Sequence, residues 1–286
     1  MGNKVLIIGA SGFLGGYIFD YLAQFPELRV SGTVHRLSVP GLHALDIRDR
    51  ASILTVLKDL RPSIVIFCAG TKDVNRCEKD PAYAMGLNVT PIRDYVDACN
   101  NIGLSPRTLY LSSDYVFDGL KGGYGHDSRV GPCTVYGLTK LLAERLLLTS
   151  GLPGQILRAS AVMGRRGGFF RWLENALHAG TAVNLFENTY FTPTSIGRLC
   201  EYVRDYVFSG NNRANINIAH LSDGCRMSRY EFGVRMANKI GLSSSALSAS
   251  IADFKTSSFQ PDLSLLPDGC ATLGSAHDWD DLDKIF

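Results

Sequence analysis

The hydrophobic residues divide the chain into short apolar runs separated by longer segments with helical spacing. A short continuous apolar run is typical of a strand buried in a parallel sheet. Such runs predict strands at residues 4–9, 29–34, 64–68, 108–111, 155–158 and 215–219. Helical spacing predicts helices at residues 17–22, 51–60, 81–100, 136–147 and 196–207, and one that Ser228 and Glu231 open as a capping box. Strands that alternate with helices indicate an α/β fold with a doubly wound parallel sheet.

The first predicted strand ends in a glycine-rich turn that leads into the first helix. Gly9 permits the tight turn, Gly12 lets the backbone approach a pyrophosphate, and Gly15 lets the helix pack close to the strand. The N-terminus of that helix would face the anion. A lone glycine pattern is often an ordinary turn, but its place at the start of an α/β pattern favours a dinucleotide site.

The end of the second predicted strand bears on the choice of cofactor. His35 and Arg36 stand where an NAD-specific site usually has an acidic residue for the ribose 2′-hydroxyl. An arginine there can meet a 2′-phosphate, although a surface arginine is the plain alternative. We therefore predict NADPH, with NADH as the alternative cofactor. The third apolar run ends in Cys68-Ala69-Gly70, small residues that would let a cofactor lie across the strand end.

A tyrosine and a lysine, Tyr136 and Lys140, stand one helical turn apart on the predicted helix at 136–147. Side chains at i and i+4 leave the same helix face. An ammonium beneath a phenol favours the ionised phenol and makes the tyrosine a proton donor. The spacing alone is also compatible with a half-buried tyrosine beside a solvated lysine.

Two further segments carry candidate chemistry. The strand at 108–111 ends in Ser112-Ser113, and a hydroxyl at such a strand end can donate a hydrogen bond to a substrate carbonyl or cap the following turn. The loop from Asp118 to Cys133 is suited to a lid or a substrate loop. Arginines at 165, 166 and 171 are consistent with recognition of an anionic group and equally with a solvated loop.

Composition narrows the class of protein. The 286 residues are 45% hydrophobic, which suits one large or two interlocked domains. Net charge is +2 without a basic block, so no nucleic-acid partner is expected. No long apolar segment is present, so no membrane partner is expected and the cytoplasm is the expected location. The seven cysteines are odd in number and scattered, which predicts reduced thiols and neither a disulfide framework nor a metal site.

These motifs, in their order, resemble an extended short-chain dehydrogenase/reductase. The segments Ser113-Asp114-Tyr115-Val116-Phe117-Asp118-Gly119, Ile156-Leu157-Arg158-Ala159-Ser160, Pro193-Thr194 and Met227-Ser228-Arg229-Tyr230-Glu231-Phe232 resemble the dTDP-4-dehydrorhamnose reductase branch. The resemblance runs from the first strand to about residue 232. It implies a Rossmann domain at residues 1–160, to which about 192–218 returns. It also implies a smaller substrate-binding domain at 161–191 and 219–286.

The same resemblance assigns roles to individual residues. Tyr136 becomes the general acid, Lys140 lowers the pKa of that tyrosine and holds the nicotinamide ribose, and Ser113 polarises the carbonyl. The implied reaction is reduction of the keto group of a nucleotide-linked 4-keto-6-deoxy sugar, with a dTDP sugar favoured. The expected cofactor residues are Gly9, Ser11, Gly12, Phe13, Leu14, Gly15, His35, Arg36, Asp46, Ile47, Cys68, Ala69, Gly70, Ser112, Tyr136 and Lys140. The expected substrate residues are Asp114, Tyr115, Ala161, Arg165, Arg166 and Arg171.

Two departures from the branch and two alternative functions stay open. The chain has Ala161 where many members have tryptophan, and Phe259-Gln260-Pro261 where Arg-Pro is usual, which leaves the sugar undecided. A 4,6-dehydratase is disfavoured because Tyr115 stands where those enzymes have glutamate. An epimerase on the same framework and a non-catalytic NADP-binding regulatory subunit remain as alternatives. The oligomeric state is open, with a homodimer among the compatible assemblies.

Overall fold

The computed structural model describes residues 3–35, 39–210, 215–254 and 260–275. No helix within these ranges is long and apolar enough to cross a membrane. The strands are β1 (Lys4–Ile8), β2 (Arg29–Val34), β3 (Leu42–Ala44), β4 (Ile64–Phe67), β5 (Arg107–Ser113), β6 (Gly154–Ala159), β7 (Val162–Met163), β8 (Val183–Phe186), β9 (Tyr190–Phe191), β10 (Thr194–Ser195), β11 (Ile216–Leu221), β12 (Met227–Ser228) and β13 (Leu247–Ser250). The helices are α1 (Phe13–Leu22), α2 (Arg50–Leu60), α3 (Val74–Lys79), α4 (Pro81–Asn88), α5 (Thr90–Asn101), α6 (Val135–Leu148), α7 (Gly168–His178), α8 (Ile196–Phe208) and α9 (Arg229–Lys239).

A seven-stranded sheet with strand order β11-β6-β5-β4-β1-β2-β3 forms the centre of the fold. β1 pairs in parallel with β2 and β4, and β4 pairs in parallel with β5. All residues of β4 and β5 are buried, as expected for parallel strands covered on both faces. The doubly wound α/β fold predicted from the sequence is confirmed.

The chain divides into two compact units, each with its own core. The first contains residues 1–112, 134–157 and 200–219, and the second contains residues 113–133, 158–199 and those from His220 onward. In the first unit, side chains such as Leu6, Phe67 and Tyr95 form the main hydrophobic cluster. In the second, the cluster includes Phe170, Phe191 and Phe232.

One predicted helix was wrong. The segment from Pro81 to about Asn100 forms two helices, α4 and α5, with a break at Val89. Pro91 has no N–H group to continue the hydrogen-bond ladder of α4, which explains the break. The arginine-rich segment, which the sequence left open between an anion-recognition site and a solvated loop, continues into α7, so that Arg171 is helical. The buried face of α7 is formed by Phe170, Leu173 and Leu177.

The capping box at the start of α9 is confirmed. The Ser228 hydroxyl accepts from the Glu231 N–H at 3.1 Å, and the Glu231 carboxylate accepts from the Ser228 N–H at 2.7 Å. Both contacts satisfy N–H groups that a helix start leaves without partners. The motif therefore places the beginning of α9 at Arg229.

His220, at the C-terminal end of β11, makes the second unit sensitive to acid. It is 1% exposed and stacks on His126 at a centroid distance of 4.6 Å, and burial lowers its pKa to about 4. His220 therefore takes up a proton near pH 6.5 in the unfolded chain and only near pH 4 in the folded protein. The free energy of unfolding falls as the pH drops from about 6.5 to about 4, because protonation favours the unfolded chain. We expect a loss of about 2 kcal/mol from this residue between pH 7 and pH 5.

Urea unfolding of the native protein and of His220→Asn at both pH values checks this expectation. The variant should lose about 2 kcal/mol less than the native protein over the same interval. Equal losses in the two proteins would show that His220 does not cause the acid sensitivity.

Candidate active site

Two positions in the turn after β1 require glycine. Gly9 has a φ of +93°, and a Cβ there would lie 2.9 Å from the backbone nitrogen of Ala69. A Cβ on Gly15 would lie 2.2 Å from the Gly9 carbonyl oxygen. Glycine at both positions therefore allows α1 to start directly against the strand end. Gly12 is the N-cap of α1 and has no side chain to occupy the first N–H groups of the helix.

The residues after β4 lie beside this glycine turn. The Cys68 N–H donates to the Ile8 carbonyl at 2.9 Å, so the two strand ends are adjacent. Burial raises the pKa of Cys68 to about 12, and its thiol stays protonated at neutral pH. Lys72 lies over the ring of Phe13 at 5.1 Å, and burial lowers its pKa. Lys72 was not predicted from the sequence, because its ring partner is distant along the chain.

Three charged or titratable side chains meet beyond the ends of β2 and β3. Arg48 donates to Asp46 from Nε at 3.0 Å and from Nη2 at 2.7 Å, and the His35 Nε2 atom lies 3.2 Å from the carboxylate. The Arg48 hydrogen bond holds the pKa of Asp46 well below its usual range. Arg48 was missed, although an arginine two residues after an aspartate was a visible signal. The predicted cofactor residue Arg36 lies outside the described residues.

The other predicted cofactor residues of the first unit differ in exposure. Ser11 is exposed, whereas Leu14 is partly buried in the first turn of α1. Ile47 packs against the core of the first unit, and Gly70 lies next to Asn88. Their roles in cofactor binding stay predictions.

Lys140 is buried on α6, one turn after Tyr136. It is 8% exposed, its Nζ donates to the Leu111 carbonyl at 2.6 Å, and it lies over the Tyr110 ring at 4.1 Å. Burial lowers the pKa of Lys140 to about 7, while Glu144 and Cys68 act in the opposite direction. A solvated lysine, the alternative left open by the spacing, is therefore not what the structure shows. Tyr136 is half-buried.

Asn88 connects the loop after β4 to α6 and was not predicted as part of the site. Its Oδ1 accepts from the Thr71 N–H at 2.8 Å, and its Nδ2 donates to the Thr139 hydroxyl at 3.0 Å. Thr139 in turn donates to the Tyr136 carbonyl at 2.7 Å. A buried asparagine must satisfy its amide, so these contacts fix the loop against the turn that carries Tyr136.

In the second unit, Ser113 is held by its neighbours at the end of β5. Its hydroxyl donates to Asp114 Oδ1 at 2.9 Å and accepts from the Tyr115 N–H at 3.3 Å. Asp114 Oδ2 accepts from Ser160 at 2.7 Å. Burial raises the pKa of Asp114, and the two serine hydroxyls oppose that shift. Ser113 therefore has a defined rotamer, with its proton directed at Asp114.

Arg229, in the second unit, is another residue that was not predicted as part of the site. Its guanidinium lies over the Phe191 ring at 3.9 Å, and burial lowers its pKa while Tyr115 and Asp114 raise it. Burial also raises the pKa of Tyr115 to about 12. An arginine at the first position of a helix is unfavourable because its charge lies next to the positive end of the helix dipole. This unfavourable placement was the sequence signal that could have pointed to Arg229.

The predicted substrate residues after β6 lie in different surroundings. Arg165, Arg166 and Arg171 are all exposed, and Arg165 pairs with Glu174 at 3.2 Å. Ala161 is partly buried and packs against the core of the second unit. Phe259, the first residue of the Phe259-Gln260-Pro261 departure from the branch, lies outside the described residues.

Comparison with known proteins decides the family. The sequence profile of the family described as RmlD substrate binding domain matches residues 3–270. This chain belongs to that family. The dTDP-4-dehydrorhamnose reductase-like resemblance predicted from the sequence is confirmed.

Proteins similar to this chain have different names. The chain is 28% identical to the probable low-salt glycan biosynthesis reductase Agl14 of Haloferax volcanii, over 91% of this chain and 88% of that protein. It is also 28% identical to methionine adenosyltransferase 2 subunit beta of Xenopus tropicalis, over 86% of this chain and 75% of that protein. The structure of dTDP-4-dehydrorhamnose reductase from Bacillus anthracis in complex with NADP matches with a TM-score of 0.85 and 20% identity, over 100% of this chain and 99% of that one. At this identity, the last match shows a shared fold.

Proposed function

We propose that this protein reduces the keto group of a nucleotide-linked 4-keto-6-deoxy sugar with NADPH. The observation that carries the proposal is the buried Lys140, one turn from Tyr136, with a pKa lowered to about 7 by burial. Lys140 is largely shielded from water, and its ammonium donates to a backbone carbonyl. A positive charge in such a position lowers the pKa of a neighbouring phenol. Membership of the RmlD family supports the same reaction class.

The residues of the first unit fit a dinucleotide. Glycine at 9 and 15 lets α1 begin directly against the strand end, because a Cβ at either position would collide with the backbone, and α1 begins without a side-chain cap. These are the features by which helix N-termini accept a pyrophosphate. His35 and Arg48 lie at the end of β2, the position at which this fold distinguishes a 2′-phosphate from a hydroxyl. We infer NADPH, with NADH as the alternative.

The residues of the chain would supply the acid and the electrostatic stabilisation. When bound, the cofactor supplies the hydride. Tyr136 would donate its proton to the sugar oxygen, and Lys140 would stabilise the phenolate that remains. Ser113 would donate a hydrogen bond to the same oxygen, which requires its proton to turn away from Asp114. The product is a secondary alcohol.

A turnover screen tests the proposal. Purified protein is incubated with NADPH or NADH and with dTDP-, GDP-, UDP- and CDP-linked 4-keto-6-deoxy sugars, and loss of reduced cofactor is followed. We expect oxidation of NADPH with a dTDP sugar and formation of a 4-hydroxy product. Isomerisation of a sugar without net cofactor oxidation would indicate an epimerase. Tight NADPH binding without any turnover would overturn the enzymatic proposal and favour a regulatory subunit.

A further inference from the structure

We propose that Glu144 is a positioning residue that keeps the Lys140 ammonium charged and fixes α6 to the end of β5 through Ser112. The inference rests on the proposed function, because it assigns Lys140 a role in cofactor binding and proton donation. Its basis is a pair of contacts between two buried residues of α6 and two consecutive residues of β5.

Both contacts join α6 to the end of β5 within the first unit. Lys140 Nζ donates to the Leu111 carbonyl at 2.6 Å, and the Ser112 hydroxyl donates to Glu144 Oε1 at 2.5 Å. Lys140 and Glu144 stand one turn apart, so they share a helix face. They are 8% and 1% exposed. Buried charges of opposite sign at this spacing compensate each other's desolvation.

The groups around Lys140 leave Glu144 as the source of negative charge. Cys68 faces the lysine from the segment after β4, Tyr110 faces it from β5, and Tyr136 precedes it on α6. Burial raises the pKa of the Cys68 thiol to about 12 and that of the Tyr110 phenol well above its usual value. Both therefore stay neutral at neutral pH, and Glu144 is the group that opposes the effect of burial on Lys140.

The expected effect has a definite direction. Because burial depresses the pKa of Lys140, its ammonium is present at low pH and is lost as the pH rises through about 7. Removing the Glu144 charge depresses that pKa further. In Glu144→Gln the affinity for NADPH should approach that of the native protein only at the acid end of the pH range, and its decline should be centred about one unit below the native midpoint.

The experiment measures NADPH binding by cofactor fluorescence between pH 5.5 and pH 9, without need of turnover. The variants are Glu144→Gln, Ser112→Ala and Ser112→Thr. Ser112→Ala should shift the profile in the same direction by a smaller amount, because it removes the hydrogen bond that holds the Glu144 carboxylate in place. Ser112→Thr keeps the hydroxyl and should bring the pH midpoint of binding back towards that of the native protein, whatever its effect on the affinity itself. If Glu144→Gln does not fold, Ser112→Ala and Ser112→Thr carry the test.

Asp94→Asn is the matched control. Asp94 is a buried carboxylate on α5 in the same unit, and it pairs with Arg93 at 3.2 Å. Its replacement should leave the pH midpoint of binding unchanged. If Glu144→Gln lowers the NADPH affinity by the same factor at every pH, or leaves the pH profile unchanged, Glu144 has a structural role only. Either result would overturn the inference. A shifted binding profile in a protein that reduces no keto sugar would instead support Glu144 and count against the proposed reaction.

Discussion

Replacement of Tyr136 by phenylalanine is expected to lower kcat for keto-sugar reduction by about a hundredfold or more. The phenol is the proposed proton donor, and the substitution removes only its oxygen. Since Tyr136 is half-buried, the ring should keep its packing and the protein its stability. The measurement compares NADPH oxidation with a dTDP-linked 4-keto-6-deoxy sugar in the native protein and in the variant. NADPH affinity should change by less than about threefold.

A tyrosine elsewhere in the first unit provides the control for this substitution. Tyr83 on α4 lies beneath the guanidinium of Arg76 at 3.7 Å, a contact that Tyr83→Phe preserves. This variant should retain native kcat. If Tyr136→Phe also retains native kcat, another group donates the proton and the proposed role of Tyr136 is wrong.

Replacement of Gly15 by alanine is expected to weaken NADPH binding by about 10- to 100-fold and to destabilise the protein by about 1–3 kcal/mol. The added Cβ would lie 2.2 Å from the Gly9 carbonyl oxygen, so α1 has to move away from the strand end. That movement displaces the N–H groups proposed to face the pyrophosphate. Calorimetric titration with NADPH and urea unfolding provide the two readings.

Gly86 offers a matched control for the Gly15 substitution. It lies inside α4, and a Cβ there would meet nothing within 4 Å. Gly86→Ala should therefore bind NADPH like the native protein and gain about 0.5–1 kcal/mol of stability from helix propensity. Native NADPH affinity in Gly15→Ala would argue against the glycine turn as the cofactor cradle.

The predicted elements that matched the structure are those with strong local signals. The six residues of β2 were predicted with the observed ends, and α2 and α8 were within one residue at each end. Buried parallel strands are continuously apolar, and amphipathic helices repeat every three to four residues, so a short window suffices for both. The short strands β8, β9 and β13 were missed because two to four residues carry no readable period.

Less of the candidate site than of the fold could be predicted from the sequence. The glycine turn and the Tyr136–Lys140 spacing are local patterns, and both could be read from the chain. The contacts of Asn88 with Thr71 and Thr139 bridge 17 and 51 residues of sequence, and that of Ser112 with Glu144 bridges 32. No propensity or period encodes such pairs. The burial that sets the pKa of Lys140 likewise depends on the packed structure.

The division of each unit into separate chain segments has a consequence for how the protein can be made and cut. β11, an edge strand of the central sheet, is built from Ile216–Leu221, long after the other six strands have been synthesised. A ribosome-bound chain therefore lacks this edge until residues 216–221 have been synthesised, and the sheet completes only then. For the same reason, no single truncation releases either unit intact. A fragment that ends at residue 157 would lack residues 200–219 of the first unit and expose the open side of β6.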